Sequence, residues 1–168
     1  MFTPLILGAL LLLGQKPEAV KPPQFGTIAG IMVGPNAVPL KQPFQVILMS
    51  SEYALLWTAG VQQRLDNSWE RYKPVLAQKK ELFFELSRQA YLDTLQSVTD
   101  QMRRDLGSST SKFIKNTSPD GKFDFPNIPL GDYKVVAVGK NGSQQSVWLE
   151  SVTLTSPLPQ FVQLKKLP

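Results

Sequence analysis

The side chains that most often do acid, base and nucleophilic work near neutral pH are missing, because the chain contains neither histidine nor cysteine. A Ser-His-Asp or Cys-His arrangement cannot be built from it, nor can a disulfide or a Cys-ligated zinc site. Serine paired with lysine, and paired carboxylates, are the chemistries left. Ser50 and Ser51 run into a helical pattern instead of a Ser-x-x-Lys motif, Ser111 and Lys112 are direct neighbours, and the acids of the central segment stand among lysines and arginines. No catalytic residue is expected.

Oxygen ligands for a cation need clustered carboxylates. Asp120, Asp124 and Asp132 are close in sequence, but Asp120 belongs to a turn and Asp124 alternates with Phe123 and Phe125 on the opposite face of a strand. Neither a metal nor a cofactor is therefore expected. A Gly-rich phosphate loop is absent, and the basic residues do not interleave along the chain with aromatics as on single-strand platforms. Nucleic acid is not an expected partner.

The elements that would position any site come in two kinds. Of 14 prolines and 11 glycines, only Gly60 and Pro74 fall between about residues 52 and 106. In that stretch Ala54, Trp57, Val61, Leu65 and Tyr72, then Leu82, Leu86, Ala90, Val98, Met102 and Leu106, recur at helical spacing. Ser50 or Ser51 suits a cap for the first helix, and Asn67 with Glu70 resembles a capping box that restarts it. A single helix over this span would be about 80 Å long, whereas the ten residues 107–116 reach back at most about 36 Å. The chain must bend, and Asp66-Asn67-Ser68 or Pro74 is the expected place. An antiparallel helix pair with unequal arms follows, with Gly107 to Ser111 taking up the difference.

Outside that stretch the pattern is β. Gly26 to Val33, Phe44 to Met49, Lys112 to Lys115, Lys122 to Phe125, Tyr133 to Val138, Gln145 to Leu154 and Phe161 to Leu164 have strand character, separated by Gly, Pro, Asn and Asp clusters. Asp120-Gly121 reads as a hairpin turn. The fold class is mainly β with a helical insertion: about seven strands in a Greek-key sandwich, with the helix pair between the second and third strands.

The N-terminal run Leu5 to Gly14 is apolar and too short to span about 30 Å of hydrocarbon comfortably, so residues 1–14 read as a signal peptide or N-terminal anchor and residues 15–24 as a Pro-rich linker. The sandwich domain then covers residues 25–168, with the insertion at about 52–110. An exported location, periplasmic, cell-envelope or secreted, is expected. The formal charge of +5 lies entirely outside the insertion, where eight basic residues balance eight acidic ones.

The stretch Asp120-Gly121-Lys122-Phe123-Asp124-Phe125-Pro126-Asn127-Ile128-Pro129-Leu130-Gly131-Asp132-Tyr133 resembles the signature of carboxypeptidase regulatory-like domains, in the transthyretin-like (prealbumin-like) class of β-sandwiches. Gly26-x-Ile28-x-Gly30-x-Met32-Val33, and Val46-Ile47-Leu48 after Pro39, are similar to that family's opening strands. The likeness covers roughly residues 25–50 and 112–166, and it implies an accessory, stalk or adhesion-like module of an exported protein. The helical insertion departs from the family pattern. Each signature residue also has a packing or turn role: Asp120 and Gly121 the turn, Phe123 and Phe125 one strand face, Ile128 and Pro129 the end of the sandwich, and Gly131 the corner before Tyr133.

The insertion is then the expected contact surface. Its aromatics exceed what a two-helix hairpin buries internally, and Trp57, Trp69, Phe83, Phe84, Arg103 and Arg104 are the candidate partner contacts. The expected function is a non-catalytic exported binding or scaffold module of the cell envelope. The alternative is a homo-oligomer assembled through the helices, with an enzyme of unknown type as the remaining class. Membrane contact is expected only through the N-terminal segment, if that segment is uncleaved.

Overall fold

A computed structural model describes residues 24–34, 40, 42–76, 78–141 and 144–166. The expected signal or anchor at 1–14, and nearly all of the linker, lie outside the described residues.

The element order is β1 (Phe25–Met32), β2 (Gln45–Ser50), α1 (Ser51–Leu76), α2 (Lys80–Leu106), a 3-10 turn (Gly107–Lys112), β3 (Ile114–Asn116), β4 (Lys122–Pro129), β5 (Gly131–Asn141), β6 (Gln144–Leu154) and β7 (Gln160–Lys166). Hydrogen-bonded neighbours run β3-β2-β5-β6-β7-β1-β4. This continuous order is creased at β7 into two sheets. Residues 160–164 of β7 pair in parallel with Ile28–Met32 of β1, whereas Lys165 and Lys166 pair with Leu149 and Trp148 of β6. One sheet is therefore β4-β1-β7 and the other β3-β2-β5-β6. On the far side, Lys115 of β3 reaches across, its Nζ donating to the main-chain oxygen of Asp124 at 2.9 Å.

Between the sheets lies a core of inward-facing residues that includes Ile28, Met32, Val46, Leu48, Phe123, Phe125, Val135, Ala137, Trp148 and Leu164. β1 shows the period of two expected when one sheet face meets water, burying Gly26, Ile28, Gly30 and Met32 in turn. β2 does not. Val46, Ile47, Leu48 and Met49 are all buried, because Val46 and Leu48 face the sandwich while Ile47 and Met49 face a second apolar layer under the helices. A continuously apolar strand is what a sheet covered on both faces requires.

The helices differ from the sequence expectation in where they turn. α1 runs unbroken through Asp66-Asn67-Ser68, so Asn67 caps nothing, and Pro74 sits inside its last turn. Proline costs the bond its N–H would have made, and α1 ends two residues later. α1 ends at Leu76 and α2 begins at Lys80, so the reversal falls midway and the arms are nearly equal at 26 and 27 residues. Tyr53 with Asp105, Arg64 with Thr94 and Trp69 with Phe83 meet in descending order, so the pair is antiparallel. Gly60 has a reason to be glycine: a Cβ there would lie 2.6 Å from the Thr94 methyl.

Asp120-Gly121 makes a turn but no hairpin. Gly121 N–H donates to Ser118 O at 2.9 Å, yet β3 pairs with β2 and β4 with β1, so the turn carries the chain from one sheet to the other. Asp120 is held by Lys122 Nζ at 2.6 Å and by the Ser118 hydroxyl at 2.6 Å. The Lys122 contact first and the Ser118 contact second lower its pKa from the ordinary 3.8 to about 2. A lowered carboxylate pKa contributes stability that is complete above the ordinary value and is lost as pH falls through about 2. Asp120→Asn should accordingly show a melting-temperature deficit that shrinks as pH is lowered from about 5 to about 2. Because the group is fully exposed, added salt should shrink the deficit as well. A deficit that grew toward acid would contradict this assignment.

Candidate functional site

The helix pair is built from two halves with different partners. Next to the sandwich, Tyr53, Trp57 and Val61 of α1 and Leu95, Val98 and Met102 of α2 pack on Ile47, Met49, Val136 and Val147 of the sheet. Trp57 is 3% exposed. Its indole N–H donates to Tyr91 O at 3.3 Å, its ring lies 5.8 Å from the Tyr91 ring, and Lys134 Nζ stands 5.3 Å from its centroid. The expectation of Trp57 as a partner contact is corrected here: it joins α1 to the sheet and to α2.

This apolar layer ends at Leu65 on α1 and Tyr91 on α2. Residues beyond it, about 66–90, pack helix on helix, with Leu76, Ser87 and Ala90 buried. From Leu65 to Leu76 α1 extends about 16 Å past the layer. The insertion therefore docks through one half and presents the other as an arm.

The end of that arm is aromatic. Trp69 is 42% exposed, Phe83 39% and Phe84 52%, and Tyr72 and Val75 of α1 are exposed as well. Trp69 from α1 meets Phe83 from α2 edge-on at 6.4 Å, and Phe83 meets Phe84 at 6.2 Å. Edge-to-face contacts of this kind hold the rings in a definite arrangement without burying them. Trp69, Phe83 and Phe84 are thus brought together, as one patch built from two helices.

Arg103 and Arg104 are elsewhere. They lie in the last turn of α2, about 30 Å along the helix from Phe84. Arg103 pairs with Asp100 at 2.7 Å and Arg104 donates to Gln101 at 2.7 Å. Both contacts are local and exposed, and basic residues at a helix C-terminus also complement its dipole. These two arginines are separate from the aromatic patch.

What the sequence reading missed was the charge around the patch. Arg71, Lys73, Lys79 and Lys80 fall in residues 71–80, which contain no acid, although Glu70, Glu81 and Glu85 border the patch residues. The signal was present in the sequence, but a count over the whole insertion, eight against eight, concealed it.

The signature residues lie in the sandwich, away from the arm. Phe123, Phe125 and Ile128 are in the core. Gly121 and Gly131 have φ of +78° and +154°. Tyr133 donates its hydroxyl to Pro129 O at 2.8 Å, and burial raises its pKa. Asp124 is exposed on the outer face of β4, and Asp132 accepts from the Thr153 hydroxyl at 2.6 Å. Among the described residues no three acids converge as a metal site. A shallow cavity of about 360 Å³ beside Leu55 is flanked by Asp132 and Lys134, which are already engaged by Thr153 and Thr58.

Fold and site together define a two-sheet β-sandwich that carries a helical arm on one outer face. The chain matches no protein-family model and no curated protein. Among solved structures it is similar to a provisionally assigned carbohydrate-binding protein of Pseudomonas aeruginosa, with 13% identity over 84% of this chain and 88% of that one and a TM-score of 0.35. It is also similar to the pilus backbone of Streptococcus pneumoniae, with 13% identity over 83% of this chain and 34% of that one and a TM-score of 0.28. Likeness at these scores carries no argument about fold or role. Among the described residues no helix is long and apolar enough to cross a membrane.

Proposed function

We propose that the protein is a non-catalytic exported binding or scaffold module of the cell envelope, in which the sandwich is the base and the helical arm makes the contact. The supporting observation is the exposed Trp69-Phe83-Phe84 patch at the end of an arm whose other half is docked. Large aromatic side chains left together in water lose the stabilisation that burial would supply, and contiguous apolar patches mark interaction sites. In this reading residues 1–14 direct export or anchor the chain, residues 15–24 form a linker, and the sandwich is a Greek-key member of the carboxypeptidase regulatory-like group. The turn, core and corner positions held by Gly121, Phe123, Phe125, Gly131 and Tyr133 support that membership.

Replacing Phe83 and Phe84 by Ser tests the arm. Because both side chains are exposed and lie outside the apolar layer, the melting temperature should change little. Recovery of the chain with the envelope fraction should fall. Unchanged recovery would place the contact elsewhere, and a mass twice that of the monomer, lost in the same variant, would point to self-assembly through the helices.

A further inference from the structure

We propose that the arm's end contacts the surface of an anionic lipid bilayer, with Trp69, Phe83 and Phe84 entering the headgroup layer and Arg71, Lys73, Lys79 and Lys80 holding the lipid charge. The inference rests on the reading of the arm as the contact surface and names what it touches.

Three observations carry it. The first is charge. The insertion as a whole is neutral, yet the reversal between α1 and α2 carries Arg71, Lys73, Lys79 and Lys80 with no acid among residues 71–80, Glu70 and Glu81 bounding the run and Glu85 following Phe84. The positive charge is concentrated at the extremity, where a planar anionic surface would meet it, and each cation near such a surface strengthens binding by about five-fold.

The second is the kind of apolar surface. Trp69 and Phe83 from different helices and the adjoining Phe84 make a cluster, with Arg71 and Lys73 following Trp69 in sequence and Lys79 and Lys80 preceding Phe83. Aromatic rings beside lysine and arginine are the composition of interfacial segments, with the ring seated among headgroups and the long basic side chains reaching phosphate.

The third is shape. Two spaces between the helices, about 280 and 630 Å³, are lined by largely polar residues, Arg64, Asn67, Arg71 and Asp93 among them, and none of Trp69, Phe83 and Phe84 contributes to either. The aromatic rings stand outside these two spaces. A peptide or helix from a partner needs a concave apolar groove to fill, whereas fluid lipid closes around a protruding group. The arm extends about 16 Å beyond the layer that docks it, and such an insertion is shallow, in keeping with helices that are too polar to cross.

Trp69 supplies its own probe. Of the three tryptophans, Trp57 and Trp148 are 3% and 1% exposed, while Trp69 is 42% exposed. With the full chain, vesicles of phosphatidylcholine mixed with phosphatidylglycerol should shift tryptophan emission to the blue and protect it from iodide, and phosphatidylcholine alone should not. Trp69→Phe should abolish the shift. Lys79→Gln with Lys80→Gln should weaken partitioning by about 25-fold at low salt, and raised salt should weaken the parent in the same way.

These variants retain residues 1–14, so binding through that segment would persist in all of them and would leave Trp69 emission unchanged. No Trp69 shift, or a shift indifferent to lipid charge and to Lys79 and Lys80, overturns the proposal. If recovery with an envelope protein still depends on Phe83 and Phe84 in lipid-free extracts, the arm is a contact surface for protein and only the lipid assignment fails. If neither vesicles nor extracts respond to the arm variants, both readings fail.

Discussion

Trp57→Ala should destabilise the protein by about 3–5 kcal/mol, the range for removing a buried tryptophan. Trp57 sits where three elements meet: it belongs to α1, its N–H is bonded to a carbonyl of α2, and Lys134 of β5 lies over its ring. Truncation opens a cavity under α1 and leaves the Tyr91 carbonyl without that donor. Urea unfolding provides the measurement, with a lower midpoint at similar slope. Trp57→Phe should recover much of the loss, since most of the ring volume returns. A surface role for Trp57 predicts the opposite, a change within about 0.5 kcal/mol, and that result would mean the helices are not docked as described.

Gly121→Ala should cost about 3 kcal/mol, the sum of two penalties. A side chain at φ +78° bears the left-handed backbone cost of about 1–2 kcal/mol. A Cβ at this position also lies 2.5 Å from Leu40 O, a main-chain atom that cannot swing aside, and overpacking of this kind typically costs about 1–3 kcal/mol. Met32 N–H donates to Gly121 O at 2.9 Å, so displacing the turn also strains the end of β1. Thermal unfolding measures the loss. A loss near 1 kcal/mol would mean that only the backbone term operates and that the Leu40 segment yields.

Gly121 also illustrates what was legible. Asp-Gly between two extended segments identifies a turn because few other residues accept positive φ, and the turn is there. That it joins two sheets depends on which strands β3 and β4 find as partners, and those are β2 and β1. Pairing is set by residues distant in sequence, so the dipeptide could not distinguish a hairpin from a crossing. The helix reversal failed in a related way. Asn67 is a weak local breaker and Pro74 a strong one placed in the last turn, and packing against α2 carries α1 through both as far as Leu76.

The candidate contacts separated for a different reason. Trp57, Trp69, Phe83 and Phe84 are alike in being aromatic residues of the insertion, and type alone gives no depth. Depth follows from where the sheet's apolar layer stops, at Leu65 and Tyr91, which makes Trp57 interior and leaves Trp69, Phe83 and Phe84 exposed.

By itself the sequence determined the kinds of element and the chemistry available. Periods of 2 and 3.6, the placing of Pro and Gly, and the lack of His and Cys are local or compositional facts that folding cannot alter. Only the tertiary structure decided the crease at β7, the two-sided burial of β2 and the meeting of Trp69 with Phe83. Each depends on segments far apart in sequence being brought together, and the free energy that does so comes from burying shared apolar surface, a quantity that no single stretch of chain contains.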